Sequence, residues 1–413
     1  MAFVGRARYL VLVTLCLLYF LLMATTFNAL GLVLPLMVKD LHWTWAEAGS
    51  GFTVLGLVCG LTSMIPALAI RRIGVSMTLM LGAVSLMLGF GTFATTHAVW
   101  SYLVGAALVG LGFSICGTVP GVHVISQSFA RRSTALGIYF GSGNLGSVAG
   151  PMLFFAVNAH ASNWRYYWMG AAGLALVLGL FAGLATGRGQ APEAEPAPQS
   201  GAIPHRSKAG KAMRTWTFAV VVLAYSVFLL VNTTIHSFAA QHFQETGLSM
   251  GLTASLLSVG ALIATAGAGL AGILGERISA RYLSMLALGG LATGALALSV
   301  GSSWASLVVF ALGFGLGQGF SYVSTTMLLL EFFDRDSSLE LYSVMCMIST
   351  SAAVGPVLGG MARDATGNFN AVFITCALIS LATGLLVLRL RRPGHGAGEP
   401  TQTADDSLAL PCT

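Results

Sequence analysis

Two histidines and a few neutral polar side chains stand inside long apolar runs of this sequence. They are His123 and His236, with Asn28, Asn144, Tyr225, Asn232, Gln318 and Tyr322. A polar group held in hydrocarbon is costly and asks for a purpose. An imidazole titrates at about pH 6.5, so it can carry a proton or, once charged, hold an anion. No Asp or Glu falls mid-run, because Glu47, Glu245, Glu331 and Glu340 lie near the ends. His123 or His236 is therefore the simplest carrier if protons move. The amides and phenols can hydrogen-bond a polar solute. Tyr225, Asn232 and His236 are spaced by seven and four residues and share one helix face; Gln318 and Tyr322, four apart, share another. Each has a plainer reading. A buried His can bond a backbone carbonyl, and Asn, Ser and Thr can tie helix to helix. Ser349 and Thr350 read as packing groups.

Other chemistries lack their residues. There is no GxxxxGK[ST] phosphate loop, no paired catalytic carboxylates and no nucleophile motif, so neither an enzyme nor an ATP-driven pump is expected. Of six cysteines, none has metal-ligand spacing, and no disulfide framework is implied. No cofactor is expected.

The elements that must position these groups are membrane helices. The 413 residues are 56% hydrophobic and 8% charged, where a soluble domain carries about 25% charged residues. Apolar runs of about 20 residues fit helices rather than the alternating strands of a barrel. Twelve spans are expected, near 9–37, 46–69, 75–95, 99–128, 133–158 and 165–186, then 216–240, 250–274, 281–300, 304–330, 339–362 and 370–389. The first run is too long for a signal peptide.

The loops sort by charge. With the N-terminus in the cytosol, seventeen of the twenty Lys and Arg fall inside and only Lys39, Arg165 and Arg363 outside. Both termini are then cytosolic, and the basic residues are too dispersed for a nucleic-acid surface. The expected organisation is a first bundle at 1–186, a cytosolic linker at 187–215 with four prolines and five basic residues, a second bundle at 216–392, and a disordered tail at 393–413.

The two halves repeat. One shift of 205 residues takes Arg72-Ile73 to Arg277-Ile278, Gly110 and Gly112 to Gly315 and Gly317, Gly150-Pro151 to Gly355-Pro356, and Asn163 to Asn368. It also takes Asn28 to Thr233 and Asn144 to Ser349. A parallel repeat of this kind places a substrate site between two bundles at the membrane midplane.

Helix count, repeat and loops together resemble the major facilitator superfamily. The signature of that family between helices 2 and 3 is Gly-x-x-x-Asp-Arg-x-Gly. Here the first copy reads Ala67-Leu68-Ala69-Ile70-Arg71-Arg72-Ile73-Gly74, with Arg71 in the acidic position. The second, Gly272 to Ser279, keeps Glu276 and Arg277. The resemblance implies a multi-pass secondary transporter of the inner membrane, working by alternating access as a monomer. It also implies gating roles for Arg72, Glu276 and Arg277. Gly355-Pro356-Val357-Leu358-Gly359-Gly360 and Asp364 to Phe369 look most like the monocarboxylate-porter and oxalate/formate group, which implies an organic acid as substrate, with symported protons. Gly146-x-x-x-Gly150-Pro151 partly resembles the helix-5 motif of drug-exporting antiporters, so an exporter of amphipathic compounds is the alternative.

Overall fold

A computed structural model of the chain describes residues 7–43, 45–161, 163–189, 205–301 and 303–390. The described residues form helices and no strand. The helices are α1 (Ala7–Thr25), α2 (Phe27–Leu41), α3 (Trp45–Leu61), α4 (Ile65–Thr95), α5 (Val99–Cys116), α6 (Thr118–Ser128), α7 (Arg132–Ala161), α8 (Trp164–Gly189), α9 (His205–Met213), α10 (Trp216–Glu245), α11 (Met250–Leu274), α12 (Ala280–Val300), α13 (Trp304–Phe332), α14 (Arg335–Ser349), α15 (Gly355–Thr366) and α16 (Asn370–Leu388). Ten described stretches are long and apolar enough to cross a membrane. Backbone groups in lipid must be satisfied within their own segment, which is why these runs fold as helices. Leu10, Val13 and Leu17 of α1 are exposed while Val11, Leu15, Leu18 and Leu22 are buried, so apolar side chains face both the core and the outside.

Four expected spans are broken, 46–69 by a turn at residues 62–64. The first bends at Thr26, where Thr25 and Thr26 donate their hydroxyls to Leu21 O (2.7 Å) and Leu22 O (2.6 Å). Such back-bonding bends helices. The 99–128 span breaks at Gly117, whose carbonyl accepts the Tyr139 hydroxyl at 3.0 Å. The 339–362 span breaks into a 3-10 turn, Thr350–Val354, and Pro356 then opens α15, where its missing N–H is no loss.

The loop expected after the second span is corrected. That span ends at Leu61, and Pro66 starts a new helix, so Ala67–Ile73 is helical. The chain turns at Gly74, whose φ of 79° favours glycine. The expected linker also holds more helix than foreseen. α8 runs to Gly189 and α9 lies within 187–215. The centre of that linker and the tail after residue 390 lie outside the described residues.

Helices α1–α8 pack among themselves, and so do α10–α16. Gly146 and Gly150 face the Phe20 and Ala24 carbonyls of α1, which makes them packing groups within the first half. The shift of 205 appears in the contacts. Gly110 lies on Leu55 of α3 and Gly112 on Leu86 of α4. Their counterparts Gly315 and Gly317 lie on Gly260 of α11 and Leu291 of α12, the matching positions.

Candidate functional site

The site is built where the halves meet. α8 ends and α9 and α10 begin at one face of the molecule, here termed the linker face. Hydrogen bonds, an ion pair and a ring contact join the halves between that face and the middle of the bundle.

Two seams form this closure. In the first, α7 packs on α11. Ser133 donates to Ala271 O at 3.4 Å, and Gly137 lies on Ala268 and Gly272. Glu276 accepts from Thr134 N (2.9 Å) and Thr134 Oγ1 (3.3 Å). Thr134 is the third residue of α7, so the carboxylate caps that helix and meets its positive end. In the second seam, Gly60 of α3 lies against Thr350, Ser63 donates to Ser343 O at 3.2 Å, and Arg71 pairs with Glu340 of α14. Each contact is worth about 1 kcal/mol at most, which suits a gate that must reopen. Glu276→Gln is expected to weaken the closure by about 1 kcal/mol, or roughly fivefold. Maleimide labelling of a G141C reporter from the linker face measures this, since the added Cβ meets nothing nearer than Thr265 O at 3.5 Å.

An aromatic layer lies above the seams. Tyr19 stacks on Tyr139 at 4.5 Å, and Phe140 stacks on Tyr322 across the halves at 5.3 Å. Tyr322 meets Phe228 edge-on at 4.7 Å, and buried Tyr225 lies 6.0 Å from Phe228 and 6.5 Å from Tyr342. Tyr225 therefore belongs to this layer.

One turn beyond Tyr322, the same face of α13 carries Gln318. Its Oε1 lies 3.4 Å from His236 Nε2 on α10, and Phe314 flanks the imidazole at 5.4 Å. His236 is exposed and Gln318 is half-buried. Asn232, one turn below His236, keeps a buried Oδ1 with no hydrogen-bond partner. The arrangement is a floor of rings topped by an imidazole, two amides and a phenol. It can exchange a proton at His236 and hydrogen-bond a polar solute.

The remaining sequence expectations separate. Asn144 is buried in the α7–α11 seam and donates to Ala264 O at 3.4 Å, so it ties the halves together. His123 stands on α6, five residues or about 8 Å from its linker-face end. It is on the opposite side of the aromatic layer from His236. Asn28 falls at the start of α2, and its side chain lies outside the described residues. Its counterpart Thr233 bonds within its own helix, to Leu229 O at 2.8 Å. Ser349 bonds Ser226 at 2.9 Å, a packing role. Arg72 and Arg277 are exposed, and it is Arg71, the departure from the signature, that reaches the other half. Sequence reasoning missed Arg71 and Glu340 as partners. The shift of 205 carries the signal, because it places Arg71 on Glu276 and Glu340 one residue beyond the counterpart of Thr134.

Comparison with known proteins agrees with this architecture. Residues 15–337 and 217–410 each match the profile described as Major Facilitator Superfamily. No curated protein matches the chain. Among solved structures, a variant of the E. coli fucose:proton symporter FucP superposes with a TM-score of 0.73 at 15% identity, covering 93% of this chain and 99% of that one. FucP in the outward conformation gives 0.72 at 16% identity, with the same coverage. At such identity the likeness is one of fold. The profile spans most of the sequence, and the chain is a multi-pass membrane transporter belonging to the Major Facilitator Superfamily.

Proposed function

We propose that the protein is a proton-coupled secondary transporter of one small organic solute, working by alternating access in the inner membrane as a monomer. The observation that carries this reading is the His236–Gln318 pair, which lies beyond the contacts that join the halves toward the linker face; the solute site is a gap between the halves at that level. α3 and α7 complete twelve spans, and the charge asymmetry puts the linker face and both termini in the cytosol. The gap then faces outward. A solute and a proton enter together, the far side closes, and the linker face opens.

For the substrate, the organic-acid reading drawn from the sequence takes one form. His236 is the ionisable group beside the gap, so a monocarboxylate binds together with the proton that charges the imidazole. A second reading rests on the same lining. Asn232, Gln318 and Tyr322 offer neutral donors and acceptors, which suit an uncharged polyhydroxylated solute, and the fold-alike FucP is named for fucose. Labelled L-lactate and L-fucose in proteoliposomes separate the two. Lactate entry that rises as the outside pH falls supports the acid; fucose entry with no lactate flux supports the polyol. Flux of neither, with raised drug sensitivity in a deletion strain, would return the exporter alternative.

A further inference from the structure

Far from the linker face, a cavity of about 420 Å³ opens between α10, α15 and the start of α16. It is lined by Ser237, Phe238 and Gln241 of α10, Gly360 and Arg363 of α15, and Phe369. α10 begins at the linker face, so its last turns lie at the opposite one. Ser237, Gln241 and Glu245 are exposed and follow one another at intervals of four, on one face of α10. A polar stripe of this kind is costly against hydrocarbon, so this face meets water.

The Gly359-Gly360 pair makes the room. A Cβ at Gly359 would lie 2.7 Å from Phe238 Cε2, so glycine lets that ring settle on α15. Phe238 stacks on Phe369 at 4.9 Å and the two form an aromatic wall. The Arg363 guanidinium lies over the Phe369 ring at 5.4 Å from its centre. With a face of the guanidinium against the ring, its N–H groups stand at the edge, in the fork that matches a carboxylate. Arg363 Nη2 donates to Glu245 Oε1 at 2.8 Å, and Gln241 Nε2 donates to the same oxygen at 3.1 Å. Glu245 thus fixes both side chains from outside the lining. The cavity itself presents a cation, a hydroxyl and an amide beside two rings. Small-molecule sites have this make-up, a concave apolar wall with a few placed polar groups, in about 300–1,000 Å³.

We propose that this cavity is an outer binding site for a monocarboxylate with an aromatic body. The ring of the acid lies on Phe238 and Phe369, and its carboxylate accepts from the Arg363 edge and the Ser237 hydroxyl. An amine is repelled by Arg363, a neutral sugar leaves the charge unused, and an acid without a ring leaves the wall bare. Ser237 directly follows His236 in α10, so the acid is held outward of the imidazole and close to its level. The site deepens the organic-acid reading. It rests on that reading for the bound acid being the transported one, and it names the apolar part of that acid.

The probe is phenylacetate, set beside phenylacetamide, which lacks the charge, and acetate, which lacks the ring. The reporter is maleimide labelling of G360C in the full chain freed of its native cysteines, in nanodiscs that leave both faces open to the reagent. The added Cβ meets nothing nearer than Phe238 Cζ at 3.9 Å. Half-protection by phenylacetate is expected at a concentration at least about tenfold below that needed for the amide or for acetate. R363Q is expected to raise it at least about tenfold and to bring acid and amide level. F238L keeps apolar bulk without the ring, is expected to raise it about two- to tenfold, and covers the case in which R363Q does not fold. No protection by phenylacetate, equal protection by the amide, or unchanged protection in either variant overturns the site. H236Q is expected to keep the protection, and its loss there would put the acid on the central imidazole and overturn the outer site. Protection at G360C with no flux of phenylacetate or lactate would leave the outer site standing and remove the organic-acid reading, so the two failures differ.

Discussion

Proton-driven accumulation is expected to fall at least about tenfold in His236→Gln, a loss of about 1.4 kcal/mol or more of coupled driving force. The argument runs from position. His236 is exposed above the aromatic layer, and its Nε2 lies 3.4 Å from Gln318 Oε1. Glutamine keeps a hydrogen-bonding group there but cannot take a proton near neutral pH. Exchange of solute for solute needs no net proton movement and is expected to survive. The check is uptake under an inside-alkaline gradient set beside counterflow at equal pH, with empty liposomes subtracted. Equal loss of both would make His236 a substrate contact only. Equal retention would remove it from the site.

The second large effect concerns the gate. A Cβ at Gly137 would sit 2.6 Å from Ala268 O and 2.8 Å from the Cα of Gly272. These are backbone atoms of the opposite half, and no side chain can swing aside. Gly137→Val adds two further methyls. Overpacking of this kind costs about 1–3 kcal/mol, enough to shift a two-state gate by about five- to about 150-fold. The variant is expected to insert normally, to expose its linker-face gap constantly, and to lose nearly all transport. Impermeant maleimide labelling at G141C from the two sides of the membrane would show it. Wild-type transport in this variant would mean that the α7–α11 seam does not close the pathway.

Much of the fold was legible because the physics is coarse. Apolar run length and one repeat shift are enough to indicate a bundle of long apolar helices in two matching halves. The breaks were not legible, since each depends on local competition for a carbonyl. Thr25 and Thr26 look like ordinary apolar-run residues until their hydroxyls bond back to Leu21 and Leu22. Pro66 falls inside the expected span 46–69, whereas it starts a new helix at the signature segment.

The site divides in the same way. Spacing alone put His236 and Asn232 on one face and Gln318 and Tyr322 on another. It could not show that the two faces meet. Asn144 has the residue type of a ligand contact, yet lies in a seam, because sequence gives a residue's face but not its neighbour. Arg71 looked like a defect in a signature. Only the contact with Glu340 shows that the acid has moved to the other side of the interface, leaving the attraction across it intact with its polarity reversed.

The most direct measurement is proton movement during solute entry in proteoliposomes, followed with an external pH dye while labelled solute is counted. Entry of solute is predicted to alkalinise the outside with about one proton per molecule in the wild type, set by a single imidazole, and not at all in H236Q, which still exchanges solute. Wild-type entry without proton movement, or undiminished proton movement in H236Q, would contradict the account.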